Sequence, residues 1–131
     1  MKVHFHTIAR GANSGYQTPS QMVIDNREEW ADIWQLHASD IIPPPPVPRV
    51  DFTDDQVVAV FMGEKRTGGY SVEILTVETK SSLEDDQTSL VITVAYRQPK
   101  PGDIVQEVIT YPYHIITIPQ LVANKVLFKK V

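Results

Sequence analysis

The stretch GEKRTGGYSVEI, residues 63–74, combines two cationic side chains, a threonine and a glycine pair, and then continues as an alternating apolar strand. Lysine and arginine can hold an acidic group of a partner, and glycine lets a second backbone approach closely because it has no Cβ. We expect positive φ at both glycines, as a tight loop before a strand requires. The stretch therefore predicts a protein-binding loop. Its candidate residues are Lys65, Arg66, Thr67, Gly68, Gly69 and Tyr70.

A metal site is a second chemistry that the sequence could support. His4 and His6 are two residues apart and lie on the same face of a predicted strand, a spacing that zinc sites use. His37 or His114 could supply a third ligand if the fold brought it near, and the protein would then be a small metal-binding enzyme. Paired histidines on a strand are more commonly exposed or packed side chains, so we expect no metal and no other cofactor.

Catalytic patterns are weak elsewhere in the chain. Ser14 lies in GANSG, which differs from the Gly-x-Ser-x-Gly nucleophile elbow and lacks its strand–turn–helix context, so we interpret it as a turn residue. The acid pairs at 54–55 and 85–86 are neighbours in predicted loops, where carboxylates are solvated. Acid–base catalysis needs carboxylates in divergent environments. We therefore expect a domain without catalytic residues.

The composition is that of an ordinary globular domain and argues against several classes of function. The chain has 131 residues, of which 42% are hydrophobic, and a net charge of −4 at pH 7. This acidic balance argues against nucleic-acid binding, and the absence of cysteine excludes disulfides and thiolate metal ligands. No apolar run approaches the ~18 residues that a membrane-spanning helix needs.

The N-terminal residues 1–11 bear on localisation. They contain one lysine but no apolar stretch of the length found in a secretory signal peptide. This pattern predicts a cytoplasmic protein, or a secreted or periplasmic one if the sequence is a trimmed part of a longer chain.

One helix and one proline-rich segment are recognisable in the N-terminal half. Residues 25–37 predict an amphipathic helix with Asp25 or Asn26 as its cap and two tryptophans on its apolar stripe. Residues 43–46 are four prolines, which favour polyproline II and offer no backbone donors. Such a run could be an SH3-type ligand, but we interpret it as a stiff strap that crosses the domain.

Alternating or apolar runs separated by short turn segments indicate β-strands through most of the chain. The predicted strands are 3–9, 21–24, 57–62, 70–79, 89–97, 103–110, 113–118 and 125–131. Connections after residue 57 are too short for the helices of a parallel sheet, so the pairing should be mainly antiparallel. The sequence thus predicts a mainly β (α+β) protein in which residues 1–131 form a single domain. We expect an antiparallel sandwich or a partly open barrel with one amphipathic helix packed on it.

The order of the strands also predicts where the loops lie. If 57–62, 70–79, 89–97 and 103–110 form a meander, the loops at 63–69 and 99–102 meet at one end of the sheet. Lys100 then joins the candidate binding residues. The acidic loop that contains Glu84, Asp85 and Asp86 should lie at the opposite end.

The segment DFTDDQVVAVFMGEKRTGGYSVEI, residues 51–74, resembles the signature of the PrcB C-terminal domain family, named for a subunit of a bacterial secreted protease complex. That signature joins an apolar strand to a glycine, a short polar stretch, Thr-Gly-Gly-Tyr and an alternating strand, and here Gly63 and residues 67–70 occupy those positions. The GANSG loop, the helix REEWADIW and the C-terminal strands also agree. The resemblance implies an accessory or binding domain whose partner is another protein, a protease or a component of its complex.

A weaker likeness, to the chagasin-like inhibitors of cysteine proteases, leaves a second function open. Those Ig-like domains carry a Thr-Gly-Tyr element in a loop, to which the TGGY of this chain adds one glycine. Their inhibitory loop bears a tryptophan, whereas Trp30 and Trp34 both lie on the predicted helix. The sequence leaves the oligomeric state open.

Overall fold

The computed structural model describes all 131 residues, as eight strands and one helix. The strands are β1 (Lys2–Val3), β2 (His6–Gly11), β3 (Ser20–Ile24), β4 (Asp55–Phe61), β5 (Ser71–Ser81), β6 (Thr88–Arg97), β7 (Tyr113–Pro119) and β8 (Lys125–Lys130). The helix α1 spans Arg27–His37, between β3 and β4. It does not have the length and apolar character that crossing a bilayer requires.

The strands form two four-stranded sheets. The first has the order β1-β5-β6-β8 and the second the order β2-β7-β4-β3. All neighbours are antiparallel except β6 and β8, which run parallel. Neither sheet closes into a barrel, so the predicted class is confirmed as a mainly β sandwich with one helix.

The hydrophobic core lies between the two sheets, because alternate residues of each strand face inward. Its ten buried members are Val58, Val60, Val72, Ile74, Val77, Leu90, Ile92, Val94, Ile116 and Ile118. The other face of β4 is covered too, since Val57, Ala59 and Phe61 pack with the helix in a second cluster. Burial on both faces explains why this strand is apolar throughout, as the sequence predicted for 57–62.

The helix begins and packs as its sequence predicts. Asn26 is the N-cap, and its Oδ1 accepts a 2.8 Å hydrogen bond from the backbone N–H of Glu29. The Trp30 and Trp34 side chains are buried, and their indole N–H groups donate to the carbonyl oxygens of Pro48 and Pro45, at 2.9 Å and 3.2 Å. The proline segment therefore crosses the helix as a strap whose carbonyls are bound within the domain.

Three strand predictions are wrong. Residues 3–9 are not one strand, because the chain leaves the first sheet after Val3 and enters the second at His6. Residues 103–110 are an irregular segment, in which Thr110 forms a single bridge with Lys65. The predicted meander is also wrong, because β4 and β5 belong to different sheets and the 63–70 connection passes from one sheet to the other.

Candidate functional site

The predicted binding loop is fixed along its length by the irregular segment 103–110. The backbones of Lys65 and Thr110 exchange two hydrogen bonds, at 2.8 Å and 2.9 Å. The N–H of Gly68 donates to the carbonyl oxygen of Gln106, and the Thr110 hydroxyl donates to the carbonyl oxygen of Thr67, both at 2.9 Å. These bonds satisfy backbone groups that a loop would otherwise expose, so the loop has a defined shape.

The loops 63–69 and 99–102 are in contact, as the sequence predicted. A Cβ built on Gly69 would lie 3.0 Å from the Cβ of Pro99 and 3.0 Å from a methyl carbon of Val105. Gly69 has φ of 89°, and Gly102 in the neighbouring turn has φ of 90°. The prediction of positive φ at Gly68 is wrong. The other glycine of this loop with positive φ is Gly63, not Gly68. Gly69 therefore combines a special conformation with a close approach between two loops.

The cationic side chains of the site have no carboxylate partner. Every ion pair in the structure involves Glu73, so Lys65, Arg66 and Lys100 remain unpaired. Arg66 and Lys100 are exposed, while Lys65 is half-buried and its Nζ lies 5.4 Å from the centroid of the Tyr70 ring. Unpaired cations at a solvent-facing surface can attract an acidic partner.

Sequence reasoning missed the exposed apolar side chains of the segment that is hydrogen-bonded to the loop. Ile104 is fully exposed, and Val108 and Ile109 are 45% and 55% exposed. Their alternation with polar residues suggested a strand with one buried face, but the segment has no sheet neighbour to cover it. Exposed apolar side chains next to cations are typical of protein-binding surfaces. We call residues 63–70 and 99–109 together the loop surface.

The strand face that would bring His4 and His6 together is not formed. His4 lies in the crossing between the sheets and His6 at the start of β2, so they do not share one strand face. No three or more His, Asp or Glu side chains come together in a way that could hold a metal ion. His37 and His114 are both buried and hydrogen-bonded to other groups.

His114 bonds across the interior between the sheets. Its Nδ1 accepts the backbone N–H of Ile74 at 2.9 Å, so its Nε2 carries the proton and donates to the Thr7 hydroxyl at 2.9 Å. Burial, and to a smaller extent the Arg10 guanidinium, lowers the pKa of His114 to about 4, while Glu73 opposes the shift. His114 is thus a neutral structural group that ties β7 to β5.

The pair Ser14–His37 has the atoms of a nucleophile and its base but no access to substrate. The Ser14 Oγ lies 2.8 Å from His37 Nδ1 and also accepts the backbone N–H of Tyr16 at 3.0 Å. Ser14 is 1% exposed, and burial lowers the pKa of His37. The interpretation of Ser14 as a turn residue is confirmed by its bond to Tyr16.

Comparison with known families gives a match that covers residues 56–119 and is described as PrcB C-terminal. It confirms the resemblance noted in the sequence and runs from β4 to β7, through the whole loop surface. No curated protein and no solved structure matches the chain. The strands β1, β2, β3 and β8 lie outside the match but complete both sheets. That residues 1–131 form one domain stays a prediction.

Proposed function

We propose, from the membership of residues 56–119 in the PrcB C-terminal family, that this protein is a non-catalytic protein-binding domain. In this proposal it is an accessory or stabilising subunit of a protease complex. The loop surface is the part that contacts the partner. Arg66, Lys65 and Lys100 supply positive charge, and residues 67–70 allow close approach of a partner backbone.

The observation that carries the proposal is the composition and rigidity of the loop surface. Ile104 extends wholly into solvent beside unpaired cations, and a single apolar side chain of this kind can anchor an interface when a partner pocket encloses it. The loop that carries Arg66 is already ordered by its bonds to Thr110 and Gln106, so binding costs little additional conformational entropy.

The same features support an accessory domain over an inhibitor of cysteine proteases. Both tryptophans are buried under the proline strap, so neither can enter a protease cleft. An inhibition assay against papain-type enzymes separates the two functions. We expect no inhibition, and stoichiometric inhibition that is lost in Arg66→Glu would replace the proposal with the inhibitor function.

The proposal is tested by capture from the native host with identification of the bound proteins. The tagged wild type should recover a protease or a component of its complex, whereas Arg66→Glu, Ile104→Asp and Gly69→Val should lose it. Arg49→Glu is the matched control, because it reverses an exposed charge on the strap and should retain the partner. Thermal melts of each variant confirm folding. Equal recovery by wild type and the three loop variants would refute the role of the loop surface.

A further inference from the structure

A groove with the shape of a binding site adjoins the loop surface and shares Lys65 and Tyr70 with it. The groove lies on the flank where the edge strand β3 of one sheet approaches β8 and β6 of the other, and it encloses about 740 Å³. A hydrogen bond joins β3 to β6 at this flank: the Gln21 Nε2 donates to the Tyr96 hydroxyl at 2.6 Å. The lining residues are Pro19, Ser20, Gln21, Phe61, Met62, Lys65, Tyr70, Tyr96, Arg97, Gln98 and Lys130.

The groove is cationic although the protein as a whole is acidic. Its lining includes three cationic side chains and no Asp or Glu. Arg97 is neutralised by Glu73, with 2.8 Å between Nη1 and Oε1, but Lys65 and Lys130 have no carboxylate partner. Their ammonium groups lie 5.4 Å and 5.6 Å from tyrosine ring centroids, which leaves donor capacity for a ligand. This distribution of charge fits an acidic ligand.

The strand β8 borders this groove and has an open edge. It is the last strand of its sheet, paired on one side with β6, so alternate backbone N–H and C=O groups on the other side have no strand partner. Val126 and Leu127 are 42% and 43% exposed. Such an edge can accept an added strand through main-chain hydrogen bonds.

The side chains of β8 alternate between the two faces of its sheet. Val126 and Phe128 are in register with the inward-facing Leu90 and Ile92 of β6, so they point to the interior side. Lys125, Leu127 and Lys129 therefore point to the outer face, whereas Lys130 is in register with the inward-facing Val94 and points to the interior side. An added strand meets Val126, Phe128 and then Lys130 on the interior side, and on the outer face Lys125 and Lys129 with Leu127 between them.

The charges on β8 disfavour a second copy of this chain as the added strand. Two-fold symmetry requires antiparallel pairing, and a register centred on Leu127 places Lys125 opposite Lys129 of the other copy. Like charges in directly opposite positions destabilise a strand pair. The occupant that the charges favour is an extended acidic segment of another protein.

We infer that β8 and the adjacent groove bind an extended segment of a partner protein in which acidic and apolar residues alternate. The segment adds to the sheet along β8, with its acids toward Lys125 and Lys129 and its apolar residues toward Val126. On the side of Val126, an acid in place of the last apolar residue of the segment reaches Lys130 in the groove. The inference rests on the proposed function in that the ligand is a protein, but it names a surface and a chemistry that Arg66 does not share.

The test is an amide-resolved NMR titration of the full chain with a synthetic peptide of alternating glutamate and valine. We expect shifts at residues 125–131 and at the Gln21 side chain, and no shifts with an alternating lysine–valine peptide. Lys125→Glu combined with Lys129→Glu should raise the Kd about tenfold or more, because two attractions become repulsions. Arg49→Glu, the same change outside the groove, should leave the Kd unchanged.

Other outcomes would overturn the inference. One is an absence of shifts with the acidic peptide, and another is an equal response to the basic peptide. A third is a dimer of the protein in analytical ultracentrifugation whose dissociation constant changes in Lys129→Glu. Shifts confined to the loop-surface residues outside the groove, at 66–69 and 99–109, would overturn the groove and leave the proposed function intact. Conversely, peptide binding at β8 together with unchanged partner capture by Arg66→Glu would retain the groove and remove the loop surface.

Discussion

Stability should fall between pH 6.5 and pH 4 because His114 is neutral in the folded protein. Its Nδ1 has to accept the buried N–H of Ile74, and a protonated imidazole cannot do so. The folded pKa is about 4, while the unfolded side chain has the ordinary value of 6.5. Within this window the unfolded chain binds a proton that the folded chain does not, so the free energy of unfolding decreases as the pH falls.

The size of the effect follows from the separation of the two pKa values. A displacement from 6.5 to about 4 corresponds to at most about 3 kcal/mol. This contribution is fully present above pH 6.5 and is lost by the time the pH reaches the folded value. The lowered pKa of His37 acts in the same direction. Hydrogen bonds lower the pKa values of Asp51 and Glu73, so those groups add to the loss mainly below this window.

Urea denaturation from pH 5 to pH 7.5 measures the effect, with His114→Gln as the perturbation. Glutamine can accept the Ile74 N–H and donate to Thr7 but does not titrate, so the variant should be less stable at pH 7.5 and less dependent on pH. His6→Gln makes the same chemical change at an exposed position and should keep the wild-type slope. Equal slopes for wild type and His114→Gln, or an NMR titration of the His114 ring near pH 6.5, would refute the reasoning.

Two further predictions concern the loops and the strap. Gly102→Ala should cost about 1 kcal/mol for its positive φ alone, whereas Gly69→Ala should cost more, because its Cβ also meets two side chains 3.0 Å away. Urea denaturation of both variants measures this difference, and equal losses would contradict the close approach. Trp30→Phe removes the indole donor to the Pro48 carbonyl and should speed tryptic cleavage after the exposed Arg49. An unchanged cleavage rate would show that this bond does not hold the strap.

The elements that the sequence predicted well are those whose signals are local. The helix shows its Asn26 cap, its early acids and its tryptophan stripe within a dozen residues, and the structure moves its start only from 25 to 27. The strand predicted at 57–62 appears as β4 because seven consecutive positions are buried or nearly so. In both cases the signal is a pattern of apolar residues, periodic in the helix and continuous in the strand, that is visible in a short window.

The strand arrangement depends on information outside such a window. The connection at 63–70 is short enough for a hairpin, yet it joins two different sheets, and nothing in its composition separates the two possibilities. Residues 103–110 alternate as a strand would, but Ile104 and Val108 face solvent because no sheet edge is available beside them. The contact between the loops 63–69 and 99–102 was predicted from the meander, but a different topology forms it, through Gly69 and Pro99.

The geometry of the loop surface is determined by how the two sheets are held together. The loop leaves β4 in one sheet and enters β5 in the other, so any shift between the sheets moves its two ends apart. Two hydrogen bonds just after the C-terminal end of the loop oppose such a shift. Arg10 donates from Nε to the Val72 carbonyl oxygen at 3.1 Å, and His114 accepts the Ile74 N–H. Both bonds join the second sheet to the first residues of β5. The buried histidine that chemistry alone would suggest as a metal ligand or base is thus a positioning group for the loop that carries Arg66.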